Sequence, residues 1–215
     1  TSPPFLKTKE WLAEAGKMKP YIGVLALQGG VSEHVNMLRS IGCSTVEVRL
    51  PKDLSGVHGL IIPGGESTAL IRLLIRWNLI TPIKNLAEAG VPVWGTCAGA
   101  ILLSSEITEK SHSVDQPSLE LAPVRAERNS FGRQAASFQE NLVIKGLEEP
   151  FPGVFIRAPL LFPLSDKAEV LCSVKEGAVF IRSGNIWLSS FHPELTGDTR
   201  IHTMFVEGAV VGSQS

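Results

Sequence analysis

Between Tyr21 and Leu103 the chain alternates short β-rich apolar runs with segments of helical period, and no other feature restricts its fold so tightly. Y-I-G-V-L-A-L (21–27) reads as a buried strand ending at Gln28-Gly29-Gly30; Val31, Val35, Leu38 and Ile41 then recur at helical spacing up to Gly42. Strands follow at 45–50 and 59–63, then a helix from Ser67 to about Trp77, then another opened by Thr81-Pro82 with Pro82 at its first position. V-P-V-W-G (91–95) is a strand that runs straight into Thr96-Cys97-Ala98-Gly99 and an apolar helical start. This β-α-β-α rhythm predicts an α/β fold in three layers, a mainly parallel sheet with helices on both faces.

The second half reads differently. Residues 107–118 are polar and read as an excursion from the fold. Strand-like pieces at 119–127, 139–145, 153–157, 168–174, 178–182 and 185–191, several parted by Gly turns, predict antiparallel additions to the sheet. Ile201, Met204, Phe205 and Gly208 mark a C-terminal helix. Residues 1–20, which lack an apolar h-region, read as an N-terminal tail of unknown role with a short amphipathic turn around Trp11 and Leu12. One domain then spans 21–211, and 212–215 form a C-terminal tail.

Composition narrows the function classes. Twenty Lys and Arg against 21 Asp and Glu give a formal charge of −1, too little field to hold nucleic acid or an acidic membrane. No apolar run approaches the roughly 18 residues of a spanning helix, which predicts a soluble protein with no membrane contact. The three cysteines, Cys43, Cys97 and Cys172, form no C-x-x-C pair, so no disulfide framework is expected and the cytoplasm is the natural compartment. No H-E-x-x-H and no Cys/His cluster indicates a metal. Q-G-G (28–30) lacks the third glycine of a dinucleotide fingerprint, and P-G-G-E-S-T (63–68) has Glu66 where a phosphate loop needs Lys, so no cofactor is expected.

Chemistry concentrates in two segments. In G-T-C-A-G (95–99) a nucleophile-capable residue stands between glycines two positions either side, after a strand and before a helix, the arrangement of a nucleophile elbow with Cys in place of Ser. A helix N-terminus beside Cys97 favours thiolate over thiol. Cys43 and Cys172, in aliphatic surroundings, read as structural. A thiolate nucleophile needs a base with an orienting acceptor. S-S-F-H-P-E-L (189–195) offers His192 and Glu194, two apart at the end of a strand and so projected to one side. His34, His58, His112 and His202 lack such partners and read as surface or helix-face residues. Gly64-Gly65 at a strand end suits a loop whose N–H groups face an oxyanion, with Ser67 as cap of the following helix. Arg128 and Arg157 interrupt strand-like contexts and have the planar fork that binds carboxylates, though isolated arginines are more often surface residues.

Taken in order, L-Q-G-G-V-S-E-H, I-P-G-G-E-S-T, W-G-T-C-A-G, E-R-N-S-F-G-R-Q, G-V-F-I-R-A-P and F-H-P-E-L-T closely resemble the glutaminase subunits of pyridoxal phosphate synthases, within the class I (triad) glutamine amidotransferases. The similarity runs from about Tyr21 to Glu207. It implies hydrolysis of L-glutamine to L-glutamate and ammonia, and delivery of ammonia to a partner synthase of (β/α)₈ fold in a heteromeric complex. The resemblance makes Cys97, His192 and Glu194 the triad and Gly65, Glu66, Ser67, Arg128, Ile156 and Arg157 the glutamine-binding positions. Gly64, Gly65 and Ala98 would supply the oxyanion hole, and Gln28, Gly29, Gly30 and His34 would face the synthase. Two departures stand out: Ala100 replaces a larger apolar residue, and Gly30 stands where Ala or a polar residue is frequent. Two other readings stand beside this one. A glutaminase serving another synthase, or a γ-glutamyl hydrolase, would share the Cys elbow and the H-x-E pair; a catalytically silent binding module would share the fold, with loss of Cys, His or Glu as its mark, and all three are present.

Overall fold

A computed structural model describes residues 19–110, 112–131 and 137–212. The expected turn around Trp11, the tail through residue 18, residues 213–215 and the Gly132-Arg133-Gln134 end of the arginine motif lie outside the described residues.

The first half folds as its pattern predicts. Strands β1 (Tyr21–Leu25), β2 (Ser44–Val48), β3 (Gly59–Ile62) and β4 (Val93–Thr96) run parallel in the order β2-β1-β3-β4. Helices α1 (Val31–Ser40), α2 (Ser67–Arg76), α3 (Ile80–Glu88) and α4 (Ala98–Leu103) connect or follow them. Strand period divides the side chains between two cores. Leu60 and Ile62 of β3 pack with α2, α3 and α4 on one face, through Leu70, Leu74, Ile83 and Leu102. Ile61 joins Val35 and Leu38 of α1 and Ile201 and Phe205 of the C-terminal helix α5 (Arg200–Gly212) on the other. Each of these side chains is buried, so two apolar layers sandwich the sheet, the three-layer arrangement expected.

Among the described residues nine further strands follow: β5 (Ser104–Glu109), β6 (His112–Ser113), β7 (Ala122–Arg128), β8 (Ser137–Leu142), β9 (Phe151–Ile156), β10 (Leu160–Pro163), β11 (Glu169–Val174), β12 (Gly177–Ser183) and β13 (Ile186–Ser189). β13 adds parallel to β4, and β12, β10 and β7 extend the sheet from it by antiparallel pairing. β8 and β9 form a separate hairpin. Phe138 stacks on Phe155 at 4.5 Å, Phe155 lies 5.9 Å from Phe191, and the His192 N–H donates to Val154 O at 2.7 Å. Those contacts fix the open end of the hairpin beside the end of β13.

Three local expectations are corrected. The excursion assigned to 107–118 begins inside a strand: Ile107, Thr108 and Glu109 pair in parallel with Ala126, Glu127 and Arg128. Its polar residues reflect a place near the sheet edge, where only Ser104 and Ile107 of β5 are buried. β10 was not expected, because Pro159 and Pro163 bracket its short apolar run. The helix expected to open at Thr81-Pro82 starts at Ile80, with Ile83 N–H donating to Leu79 O at 3.1 Å. Pro82 is therefore its third residue, still inside the first turn where no N–H is required.

Candidate active site

Cys97 is the single residue between β4 and α4, and its backbone sits at φ 49°, ψ −105°, a region that residues bearing a Cβ rarely enter. The turn is pinned on both sides: Cys97 N–H donates to Ser189 O at 2.7 Å, and Ile101 N–H donates to Cys97 O at 3.2 Å. Gly99 is what lets the elbow pack down, since a Cβ there would fall 2.0 Å from Ile62 O. Cys43 and Cys172 are buried, and burial pushes each thiol up to about 11, in keeping with a structural role.

His192 follows β13 and stands against the elbow. Its Nδ1 lies 2.8 Å from Glu194 Oε1, and a 3₁₀ turn, Pro193–Leu195, bends the chain so that both side chains face the same way. Burial works to lower the imidazole, but hydrogen bonds and charge shared with Cys97 and Glu194 prevail and raise it to about 10. Burial would likewise raise the Glu194 carboxyl, yet the hydrogen bond and charge of His192, with His34 Nε2 facing the other oxygen, hold it below the ordinary carboxylate range. Near neutral pH the pair is therefore an imidazolium on a carboxylate, with Nδ1 committed to Glu194 and Nε2 left for the sulfur. Gly64 closes the other side: a Cβ there would lie 2.6 Å from His192 Cε1 and 3.3 Å from Cys97 Cβ.

These groups open into a cleft of about 390 Å³. The same cleft is lined by Gly64, Gly65, Glu66, Ser67, Ala98, Arg128, Ile156 and Arg157, so every residue expected to bind substrate or an oxyanion is brought to one place. Ile156 enters through its carbonyl, which accepts a long contact from Cys97 Sγ at 3.7 Å, and Arg157 beside it is held at φ 48°. Gly29 and Gly30, expected on the partner surface, also line the cleft, and Gln28 Oε1 accepts from Glu66 N–H at 3.0 Å. Glu33, Asn129 and Leu195 reach it too, without having been singled out in the sequence.

Glu66 rather than Ser67 caps α2, its carboxylate accepting from Thr68 N–H at 2.9 Å and Ala69 N–H at 2.7 Å. Its spacing fits the carboxylate better because the turn begins one residue earlier. Ser67 Oγ instead donates to Gln116 Oε1 at 3.2 Å, as do Thr68 Oγ1 at 3.0 Å and Arg128 Nη1 at 3.1 Å. Gln116 thus joins the start of α2 to the cleft arginine. No residue pattern around it in the polar 107–118 stretch carried that signal.

His34 and His202 depart most from expectation. Neither is a surface residue: both are wholly buried, and His34 Nδ1 lies 2.9 Å from His202 Nε2. The core face of α1 carries His34 inward beneath Glu194, so it cannot touch a docked partner. His58 is half-buried and accepts from Tyr21 N–H at 2.9 Å, and His112 is exposed. Among the described residues no group of three or more His, Cys, Asp or Glu is disposed to hold a metal, and no helix is long and apolar enough to cross a membrane.

Comparison with known proteins matches residues 24–211 to the SNO glutamine amidotransferase family. A Moorella thermoacetica protein named pyridoxal 5'-phosphate synthase subunit PdxT is 48% identical over 187 residues, covering 86% of this chain and 97% of that one. A protein of the same name from Herpetosiphon aurantiacus is 49% identical over 187 residues, covering 86% and 98%. Among solved structures, one described as a glutamine amidotransferase superposes with a TM-score of 0.82 at 43% identity, over 88% of this chain and 98% of that one. A glutamine amidotransferase from Thermotoga maritima, 11% identical with a TM-score of 0.60, shares the fold over 92% and 86% of the two chains.

Proposed function

The chain belongs to the SNO glutamine amidotransferase family, and on that premise we propose that its cleft hydrolyses L-glutamine to L-glutamate and ammonia for a synthase that makes pyridoxal 5'-phosphate. The observation that carries the reading is the raised, carboxylate-bound His192 beside a cysteine on a strained elbow at the floor of the cleft.

Cys97 Sγ attacks the side-chain amide carbon. The tetrahedral oxyanion is met by N–H groups of Ala98 and the Gly64-Gly65 peptide, each worth roughly 3 kcal/mol by analogy with measured oxyanion holes. His192, protonated by its raised affinity, gives its proton to nitrogen as the C–N bond breaks, and ammonia leaves a thioester. Neutral His192 then takes a proton from water, whose oxygen adds to the thioester carbon; the C–S bond breaks and glutamate departs. Glu194 holds the imidazole and stabilises its charged form throughout. Arg128 and Arg157 suit the substrate α-carboxylate, while the Ile156 carbonyl, Glu66, Ser67 and the Gly65 backbone supply acceptors and donors around its amide and ammonium.

The partner is a (β/α)₈ synthase, and the surface offered to it is the loop Gln28–Gly30. Gly29 supports this, since its Cα packs so closely on the oxyanion loop that a Cβ would lie 1.6 Å from Gly64 O. A partner pressing on one loop thereby bears on the peptide that orients the other, and the two-glycine loop can adopt resting and competent conformers. Three unpaired cysteines fit a reducing cytoplasm. The test is glutamate release by the chain alone and with the synthase. Release that depends on Cys97 and rises in the complex is expected; no glutamate under either condition overturns the reading.

A further inference from the structure

Glu194 has two carboxylate oxygens, and the triad uses one. Oε2 makes no hydrogen bond of ordinary length among the described residues, and His34 Nε2 stands 3.4 Å from it. That nitrogen stands 3.4 Å from Thr96 Oγ1 as well, and both the Glu194 and His34 side chains are shut off from solvent. Behind His34 lies His202, which packs edge-on against Trp94 at 5.1 Å between ring centres.

The proton positions in this chain follow from its two ends. If His34 carried its proton on Nδ1, a bare Nε2 lone pair would face the carboxylate. His202 Nε2 would then have to accept, its proton would sit on Nδ1, and His202 Nδ1 has no partner. A buried orphan N–H is rare and costly. The opposite assignment removes both faults: His202 Nε2–H donates to His34 Nδ1, and His34 Nε2–H points to Glu194 and Thr96. Only an acceptor lone pair on His202 is then left without a partner. Burial holds both imidazoles below the ordinary histidine range, and for His34 it outweighs the Glu194 charge, so both are neutral.

We propose that His34, with its proton fixed on Nε2 by His202, is a positioning residue that holds the second oxygen of Glu194 and, through it, the orientation of His192. The proposal rests on the triad reading above. It adds to that reading a buried line of support that crosses from α5 through α1 to the end of β13.

The test compares His34→Asn with His34→Gln in the full chain with its synthase. Gln can place an amide N–H near the position of Nε2, whereas Asn reaches only that of Nδ1. The readouts are kcat and KM for glutamine, and the pH dependence of Cys97 alkylation by iodoacetamide, followed on the Cys97 peptide. The alkylation reports the triad without requiring glutamine. The groups that set the titration of Glu194 are His192, His34 and its own backbone N–H, and Glu33, on α1, bears on His34. His34→Asn is expected to lower kcat on the order of tenfold with KM unchanged, the loss of one hydrogen bond to a charge. Its acid limb moves to higher pH in both profiles, because Glu194 without its donor takes a proton more readily. His34→Gln is expected within about threefold of wild type. Equal losses in Asn and Gln, or an unmoved acid limb in a folded His34→Asn, would overturn the proposal. Should His34→Asn not fold, His202→Phe decides: a smaller kcat loss with the same shift supports it, and an unchanged profile overturns it. A wild type that alkylates normally but releases no glutamate would defeat the glutaminase reading instead, leaving the alkylation profiles to judge His34.

Discussion

The sheet has two halves that meet at β13, parallel to β4 on one side and antiparallel to β12 on the other. From the parallel half come Cys97 after β4, the Gly64-Gly65 loop after β3 and His192 after β13 itself. Arg128, at the end of β7, comes from the other half, and Ile156-Arg157 come from the open end of the separate β8–β9 hairpin. The difference is one of reach and rigidity. Parallel strands all end at the same edge of a sheet, so short, backbone-fixed groups meet there without long side chains. Antiparallel strands deliver only alternate ends to that edge, and the residues arriving from them bridge the gap with long or half-exposed side chains. We therefore assign the reacting groups to the parallel half and the two substrate-binding arginines to the elements beyond it, a division that variants can break.

The largest effect belongs to the reacting half. Cys97→Ser is expected to lower glutamate release on the order of 10⁴-fold while leaving the melting temperature close to wild type, because it removes the nucleophile and little volume. Turnover within tenfold of wild type would remove Cys97 from the reaction. Next, His192→Asn should cost about 10³-fold in kcat and change stability in a pH-dependent way. The folded-state affinity of His192 lies above its ordinary 6.5, so the stability it contributes is complete below that pH and is lost as pH rises through about 10. Melting curves of wild type and variant should therefore be furthest apart below pH 6.5 and converge above about 10.

In the recognising half, Arg128→Ala is expected to raise KM about tenfold with kcat changed far less, as befits one charged hydrogen-bonding contact to substrate. Arg157→Ala should do the same more weakly, since its exposed side chain follows a backbone turned to φ 48° that itself aims Ile156 O at the sulfur. A kcat loss without a KM change in both would erase the division between the halves. Smallest is Gln116→Leu, for which a KM rise of about threefold is expected as Arg128 and the start of α2 lose their common acceptor.

Legibility in the sequence followed the same line. The parallel half announces itself because strands buried on both faces are continuous apolar runs, and the elbow needs glycines at fixed offsets, so Cys97 and its strand were readable. His192 and Glu194 were readable because they are two residues apart just after an apolar strand, although a 3₁₀ turn rather than extended backbone aims them to one side. β5 was not, since a strand near an edge carries polar residues, nor was β10, closed in by prolines. His34 and His202 are 168 residues apart, and only the packing of α1 against α5 makes them neighbours. Gln116 owes its role entirely to the fold around it.

The backbone of Cys97 has a consequence for how sequences of this kind drift. A residue with a Cβ at such a conformation carries strain of about 1–3 kcal/mol. Glycine would relieve that strain, and the extra freedom it brings to the unfolded chain offsets only about 0.4–1 kcal/mol of the gain. Selection for folding alone therefore favours glycine at position 97, and cysteine is kept there only by selection for chemistry. A lineage released from the need for ammonia would lose this residue early and grow more stable by the loss, keeping sheet, cleft and arginines as a well-folded relic of the enzyme.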